Sequence, residues 1–148
     1  MVVCLEIDER LSKLRCGKMK GANEKYLFEI LNEAYPGKWV NEFRGIPNRK
    51  FRFDCACLEQ KVAIEIEGGI WLGKNGGHTG GLGYQQNMEK YNLATLEGWK
   101  ILRYSPQTLL KNPWHIIADV RKLCGGSERD INMANVKRKT TTLQVKLL

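Results

Sequence analysis

No run of apolar residues in this chain approaches the roughly 20 that a bilayer-spanning helix needs, so no membrane attachment is expected. The opening Met1-Val2-Val3-Cys4-Leu5 turns acidic too soon for a secretory signal, which makes a cytoplasmic protein the expectation. Cysteine is sparse and odd in number: Cys4, Cys16, Cys55, Cys57 and Cys124 are scattered along the chain. With no export signal, this reads as reduced thiols rather than a disulfide framework. There is no C-x-x-C pair, and the two histidines stand far apart in sequence, so the spacing of a zinc site is missing. Acidic residues are the minority charge, 16 against 24 Lys and Arg, leaving a net charge of +8 over 148 residues.

That length suits one domain. A hydrophobic fraction of 43% with 27% charged residues is too apolar for a disordered chain. The charge is unevenly spread. Residues 1–50 hold ten basic and seven acidic residues, residues 51–120 seven of each, and residues 121–148 seven and two. Basic flanks around a neutral centre are what a polyanion-binding protein would use to bring phosphate to a site that itself contains carboxylates.

A core domain over residues 21–124 is expected between a basic extension at 1–20 and a basic tail at 125–148. From Asn23 to Tyr35 the apolar residues Tyr26, Leu27, Ile30, Leu31, Ala34 and Tyr35 share one helical face. Pro36-Gly37 stops that helix. Three strands are predicted next, over Lys38–Arg44, Lys50–Cys57 and Lys61–Glu67. Eight glycines between Gly68 and Gly83 predict a loop. Gly83–Glu97 then reads as a helix, Trp99–Tyr104 as a strand, and Asn112-Pro113 as the cap and first turn of a last helix. The order helix, three strands, helix, strand, helix predicts an α/β domain with a mixed central sheet.

The chemistry gathers in FRFDCACLEQKVAIEIE, residues 51–67. Strand alternation puts Phe51, Phe53, Cys55 and Cys57 on one face, and Arg52, Asp54 and Ala56 on the other. On the next strand Val62, Ile64 and Ile66 are apolar, with Ala63, Glu65 and Glu67 opposite. A tight turn at Leu58-Glu59-Gln60 makes paired residue numbers sum to 118 or 119, which sets Asp54 across from Ile64 or Glu65. Three acids then share one face. Such crowding is unfavourable unless a cation offsets it, and Mg²⁺, with Mn²⁺ as a substitute, suits oxygen donors of this kind. Otherwise, alternating strand acids mark the wet face of an amphipathic sheet.

Asp54, ten intervening residues, then Glu65-Ile66-Glu67, after a helix bearing Glu24, resembles the PD-(D/E)XK nuclease superfamily. Ala63 to Trp71 and Gly98-Trp99-Lys100-Ile101-Leu102-Arg103-Tyr104 are similar to its very-short-patch-repair-like branch. The resemblance implies a restriction-endonuclease-like sheet flanked by helices. It also implies a Mg²⁺ ion held by Asp54, Glu65 and the Ile66 carbonyl, with Glu24 completing the site through water. The family lysine falls on Glu67 here; Lys90, on the following helix, is the favoured replacement over Lys61, which lies about 13 Å along the strand from Glu65. Glu67 or Lys90 would then position the attacking water, giving 5′-phosphate and 3′-hydroxyl ends.

Small members of this superfamily include phage and archaeal Holliday-junction resolvases, which the chain resembles, and mismatch-nicking or restriction-like endonucleases. A branched DNA partner and a homodimer follow for a resolvase, since a four-way junction has two-fold symmetry. Arg44, Arg49, Lys50 and Arg52 are candidate phosphate contacts, and Trp71, Lys74 and His78 are candidates from the glycine-rich loop. A silent DNA-binding module that kept the fold but lost the lysine is the alternative from another class.

Overall fold

In the computed structural model, residues 21–67 and 80–125 are described. The extension at 1–20, most of the glycine-rich stretch with Trp71, Lys74 and His78, and nearly all of the basic tail lie outside them. Helix α1 (Ala22–Ala34) buries Tyr26, Leu27, Ile30, Leu31 and Ala34, the stripe its sequence repeats every three to four residues. Its Tyr35 N–H closes on Leu31, and Gly37 follows with φ 75°. The chain then enters strands β1 (Trp39–Phe43), β2 (Phe53–Cys57) and β3 (Val62–Ile66). Helix α2 (Gly80–Leu96) leads to β4 (Lys100–Tyr104), and the short α3 (Pro106–Lys111) precedes α4 (Pro113–Cys124). Ser105 caps α3 by accepting the Thr108 N–H at 3.1 Å.

The four strands form one mixed sheet in the order β1-β2-β3-β4. The first two pairings are antiparallel and β3–β4 is parallel. A parallel neighbour needs a crossover connection, which α2 supplies. Among the described residues no helix is long and apolar enough to cross a membrane.

Both faces of the sheet are covered. On one side Trp39, Cys55, Cys57, Val62 and Ile64 pack with α1 and with Leu109, Ile116, Ile117 and Val120. On the other, Val40, Phe53, Ala56 and Ala63 pack with Ala94 of α2, Ile46 and Trp99. The face bearing Ala56 and Ala63 is therefore not a wet sheet surface. Small side chains there let α2 come close to the strands.

Phe53 corrects one expectation: it packs with Ala56 rather than with Cys55 and Cys57. The register runs from Asn41↔Cys55 to Phe43↔Phe53, with Glu42 and Asp54 between, and Glu42 has φ 49°. This left-handed residue stands on β1 at the one step of the ladder where no pair forms. Phe43 and Phe53 both swing toward Trp99, with ring centroids 5.7 and 5.0 Å away. Gly45 is required beside them, because a Cβ there would lie 2.5 Å from the Phe53 ring. The extended strand predicted from Lys50 begins instead at Phe53, and α2 starts three residues before the predicted Gly83.

Candidate active site

Between β2 and β3 the register is Cys55↔Ile64, a sum of 119, and pairing ends there. Asp54 and Glu65 are the next residues on each strand, at the end where the ladder opens. The Asp54 side chain bridges the gap, its Oδ2 accepting the Ile66 N–H at 2.8 Å. Burial raises the Asp54 carboxyl above its ordinary range, the Ile66 N–H opposes this, and the nearby Glu24 carboxylate raises it further. Glu24 sits in the first turn of α1, where a carboxylate also complements the helix dipole.

Glu65 follows Ala63 on the face beneath α2. Ala94 rests on that face, and Lys90, four residues earlier and thus on the same side of the helix, is carried over the strand end. Its Nζ donates to Glu65 Oε1 at 2.5 Å and to the Arg52 carbonyl at 2.5 Å. Both side chains are nearly enclosed, at 9% and 11% exposure. Burial lifts the Glu65 carboxyl from its ordinary 4.5 to about 7; Lys90 pulls against that lift, and Asp54 and Glu67 add to it. The Lys90 ammonium also lies 5.4 Å from the Phe53 ring centroid. Lys61 points away, donating to the Glu97 carbonyl at 2.8 Å.

Glu67 is committed to different partners. Its Oε1 accepts from the Tyr91 hydroxyl and from Arg103 Nε, the latter at 2.8 Å. Burial works against its ionisation, but these two bonds outweigh it and hold the carboxyl below its ordinary value. The Arg103 guanidinium stacks on the Tyr91 ring at 4.1 Å. Tyr91 and Arg103 were not singled out by the sequence reading. The signal was present in part: β4 pairs in parallel with β3, setting Arg103 beside Glu65, and Tyr91 adjoins Lys90.

The candidate phosphate contacts Arg44, Arg49, Lys50 and Arg52 are exposed and follow one another along the end of β1 and the β1–β2 connection. Arg49 reaches Glu89 of α2 at 2.8 Å, and Arg52 Nη1 reaches Glu42 at 3.4 Å. Because Lys90 holds the Arg52 carbonyl, this basic connection borders the acid pair.

Among the described residues, no three His, Cys, Asp or Glu side chains form a metal-holding group. The donor set is narrower than the three-acid face expected. Asp54 and Glu65 each keep one carboxylate oxygen outside the bonds named above, and Glu67 Oε1 is taken by Tyr91 and Arg103. Two carboxylates with water are a fit for Mg²⁺, which keeps several waters and takes one or two carboxylates. They do not make a closed, all-protein cage.

Compared with protein-family models, curated proteins and solved structures, the chain gives no significant match.

Proposed function

We propose that this protein is a Mg²⁺-dependent DNA endonuclease of the PD-(D/E)XK type, with a restriction-endonuclease-like fold and a four-way junction as substrate. The observation that carries this reading is Lys90 reaching from α2 to Glu65, beside Asp54, where β2 and β3 part. In the PD-(D/E)XK family that the chain resembles, an acid pair with an adjacent basic residue serves phosphodiester hydrolysis, and here the ammonium would come from α2 because the strand position holds Glu67.

Asp54, Glu65 and the Ile66 carbonyl would hold the ion. When bound, Mg²⁺ supplies Lewis-acid polarisation of the scissile phosphate and a more acidic water. The chain's own residues do the rest. Lys90 has three N–H donors, and two are used by Glu65 and the Arg52 carbonyl. The third is left to orient the attacking water or to hold a phosphate oxygen as negative charge develops on it. Glu24 takes a water-mediated place at the start of α1. Arg44, Arg49, Lys50 and Arg52 contact backbone phosphates, which positions DNA without reading sequence. Substrate choice then rests on DNA shape, and two incisions in a symmetric junction require a homodimer.

The test is incubation of the protein with labelled four-way junction, linear duplex and mismatched duplex, with Mg²⁺ or EDTA. Paired symmetric nicks in the junction alone, lost in EDTA, are the expected result. Cutting of linear or mismatched DNA would move the substrate to a nicking or restriction-like class. Binding without metal-dependent cleavage would leave a silent DNA-binding module. Asp54→Asn and Glu65→Gln should each lower cleavage on the order of 10³-fold; undiminished cutting by either would remove that residue from the site.

A further inference from the structure

Strand β4 lies at the edge of the sheet, and its parallel pairing with β3 sets Arg103 directly beside Glu65. Consecutive residues of α2 reach this face. Lys90 donates to Glu65, while Tyr91 donates to Glu67 and carries the Arg103 guanidinium 4.1 Å from its ring centroid. Arg103 is thereby fixed on two sides, with one planar face against Tyr91 and Nε donating to Glu67 Oε1 at 2.8 Å. Its side chain is nonetheless 48% exposed.

We propose that Arg103 binds a backbone phosphate of the DNA strand that crosses the Asp54–Glu65 pair, next to the phosphate held at that pair. The ligand comes from the endonuclease reading above, on which this assignment rests; the choice of residue comes from the geometry. A guanidinium has five N–H donors, and Nε uses one of them on Glu67. The Nη end carries the other four. A fork held by stacking and by a hydrogen bond loses little freedom when it takes an anion, and its planar donors match two phosphate oxygens at once.

Position selects the phosphate. The acid pair stands where β2 and β3 part, and the basic connection bearing Arg44, Arg49, Lys50 and Arg52 borders it from the β1 side, tied to Lys90 through the Arg52 carbonyl. Arg103 borders it from the opposite side, on β4. A DNA strand laid across the acid pair therefore meets basic side chains both before and after it. Asp54, Glu65 and Glu67 repel the polyanion there, and Arg103 offsets that repulsion on the β4 side.

The experiment is equilibrium binding of a labelled four-way junction to the full chain in EDTA over a range of salt concentrations, for the wild type, Arg103→Gln, Arg103→Lys and Glu67→Gln. Arg103→Gln should bind roughly tenfold more weakly, with a log–log salt slope smaller by about one. Arg103→Lys keeps the charge and should keep the wild-type slope, with weaker binding because the fork and the stacking are lost. Glu67→Gln separates a phosphate contact from a structural ion pair: its slope should be no smaller than that of the wild type, whereas a purely structural pair predicts the same change on removing either partner. Wild-type affinity and slope in Arg103→Gln, or a reduced slope shared by Arg103→Gln and Glu67→Gln, would overturn the assignment. Its failure is separable from that of the endonuclease reading. A reduced slope in Arg103→Gln beside a wild type that never cuts in Mg²⁺ would support the phosphate contact and end the catalytic reading, and a wild type that binds no DNA would overturn both.

Discussion

The two faces of the sheet are built from the same strands and covered in opposite ways. On one, α1, α3 and α4 seal Ile30, Leu31, Ile64, Ile116 and Val120 into a dry apolar layer. On the other, α2 lies over Ala56 and Ala63 through Ala94, and within one turn the contact changes from alanine to the Lys90–Glu65 ion pair. The first face is there to hold the domain together. The second gives up apolar area for close approach, and that approach brings a helix ammonium to a strand carboxylate. Such a pair is costly to bury and is weak evidence of stability for its own sake, and the proposed function is built on it.

The sharpest way to break that contrast is to remove the cation. Lys90→Met should cost about 3–5 kcal/mol in denaturant unfolding, because Glu65 is then left buried and uncompensated. Lys90→Met with Glu65→Leu should recover most of that stability while remaining inactive on DNA. If the single variant unfolds like the wild type, the pair is not the element that distinguishes this face.

Acidity gives the next effect in size. A carboxyl raised from 4.5 to about 7 stabilises the fold fully only below 4.5, where it is protonated in both states. That contribution is lost as pH rises through 7, since ionisation is easier in the unfolded chain. The difference is roughly 3 kcal/mol, and Asp54, raised in the same direction, adds to it. Metal-free protein should therefore show a falling Tm between pH 5 and 8. Added Mg²⁺ should restore Tm at pH 8 far more than at pH 5, where the carboxyl holds its proton. A Tm that rises over this interval in EDTA would contradict the burial of Glu65.

A smaller effect tests the alanine spacing. Ala94→Leu would overpack the contact with Ala56 and Ala63, costing about 1–3 kcal/mol and lifting α2 from the strands. Cleavage should fall by more than the lost stability accounts for, because Lys90 rides on the same helix face. The equivalent change on the sealed side, Ile117→Val, should cost about 1 kcal/mol and leave cleavage per folded molecule unchanged.

Much of this arrangement was legible in the sequence, and the limits are specific. Period-2 alternation in VAIEIE put Glu65 and Glu67 on one face, and the short Leu58-Glu59-Gln60 turn narrowed the register sum to 118 or 119, of which the structure takes 119. Helix α1 was readable from its apolar stripe. Phe53 was misassigned because alternation assumes an unbroken ladder, and nothing in the letters signals that pairing is interrupted between Asn41↔Cys55 and Phe43↔Phe53. Lys90 could be favoured by resemblance, but its reach to Glu65 depends on how closely α2 packs, which the alanines decide only in three dimensions. The division of labour between Glu65 and Glu67 was not legible at all, since two identical side chains on one strand face differ here through partners on other elements.

That division supports the finest prediction. Tyr91 donates to Glu67, stacks beneath Arg103 and lies one residue from Lys90. Tyr91→Phe keeps the ring and the stacking but removes one hydrogen bond to a carboxylate still held by Arg103. About 1 kcal/mol of stability should be lost, with a two- to tenfold change in cleavage at most, roughly what one such bond is worth. If Glu67 were instead the group that orients water, freeing it from Tyr91 would alter the pH dependence of cleavage rather than its level alone. An unchanged pH profile in Tyr91→Phe, beside a shifted one in Glu65→Gln with residual activity, would assign the reacting carboxylate to Glu65 and leave Glu67 as the post that holds Arg103 and Tyr91 in place.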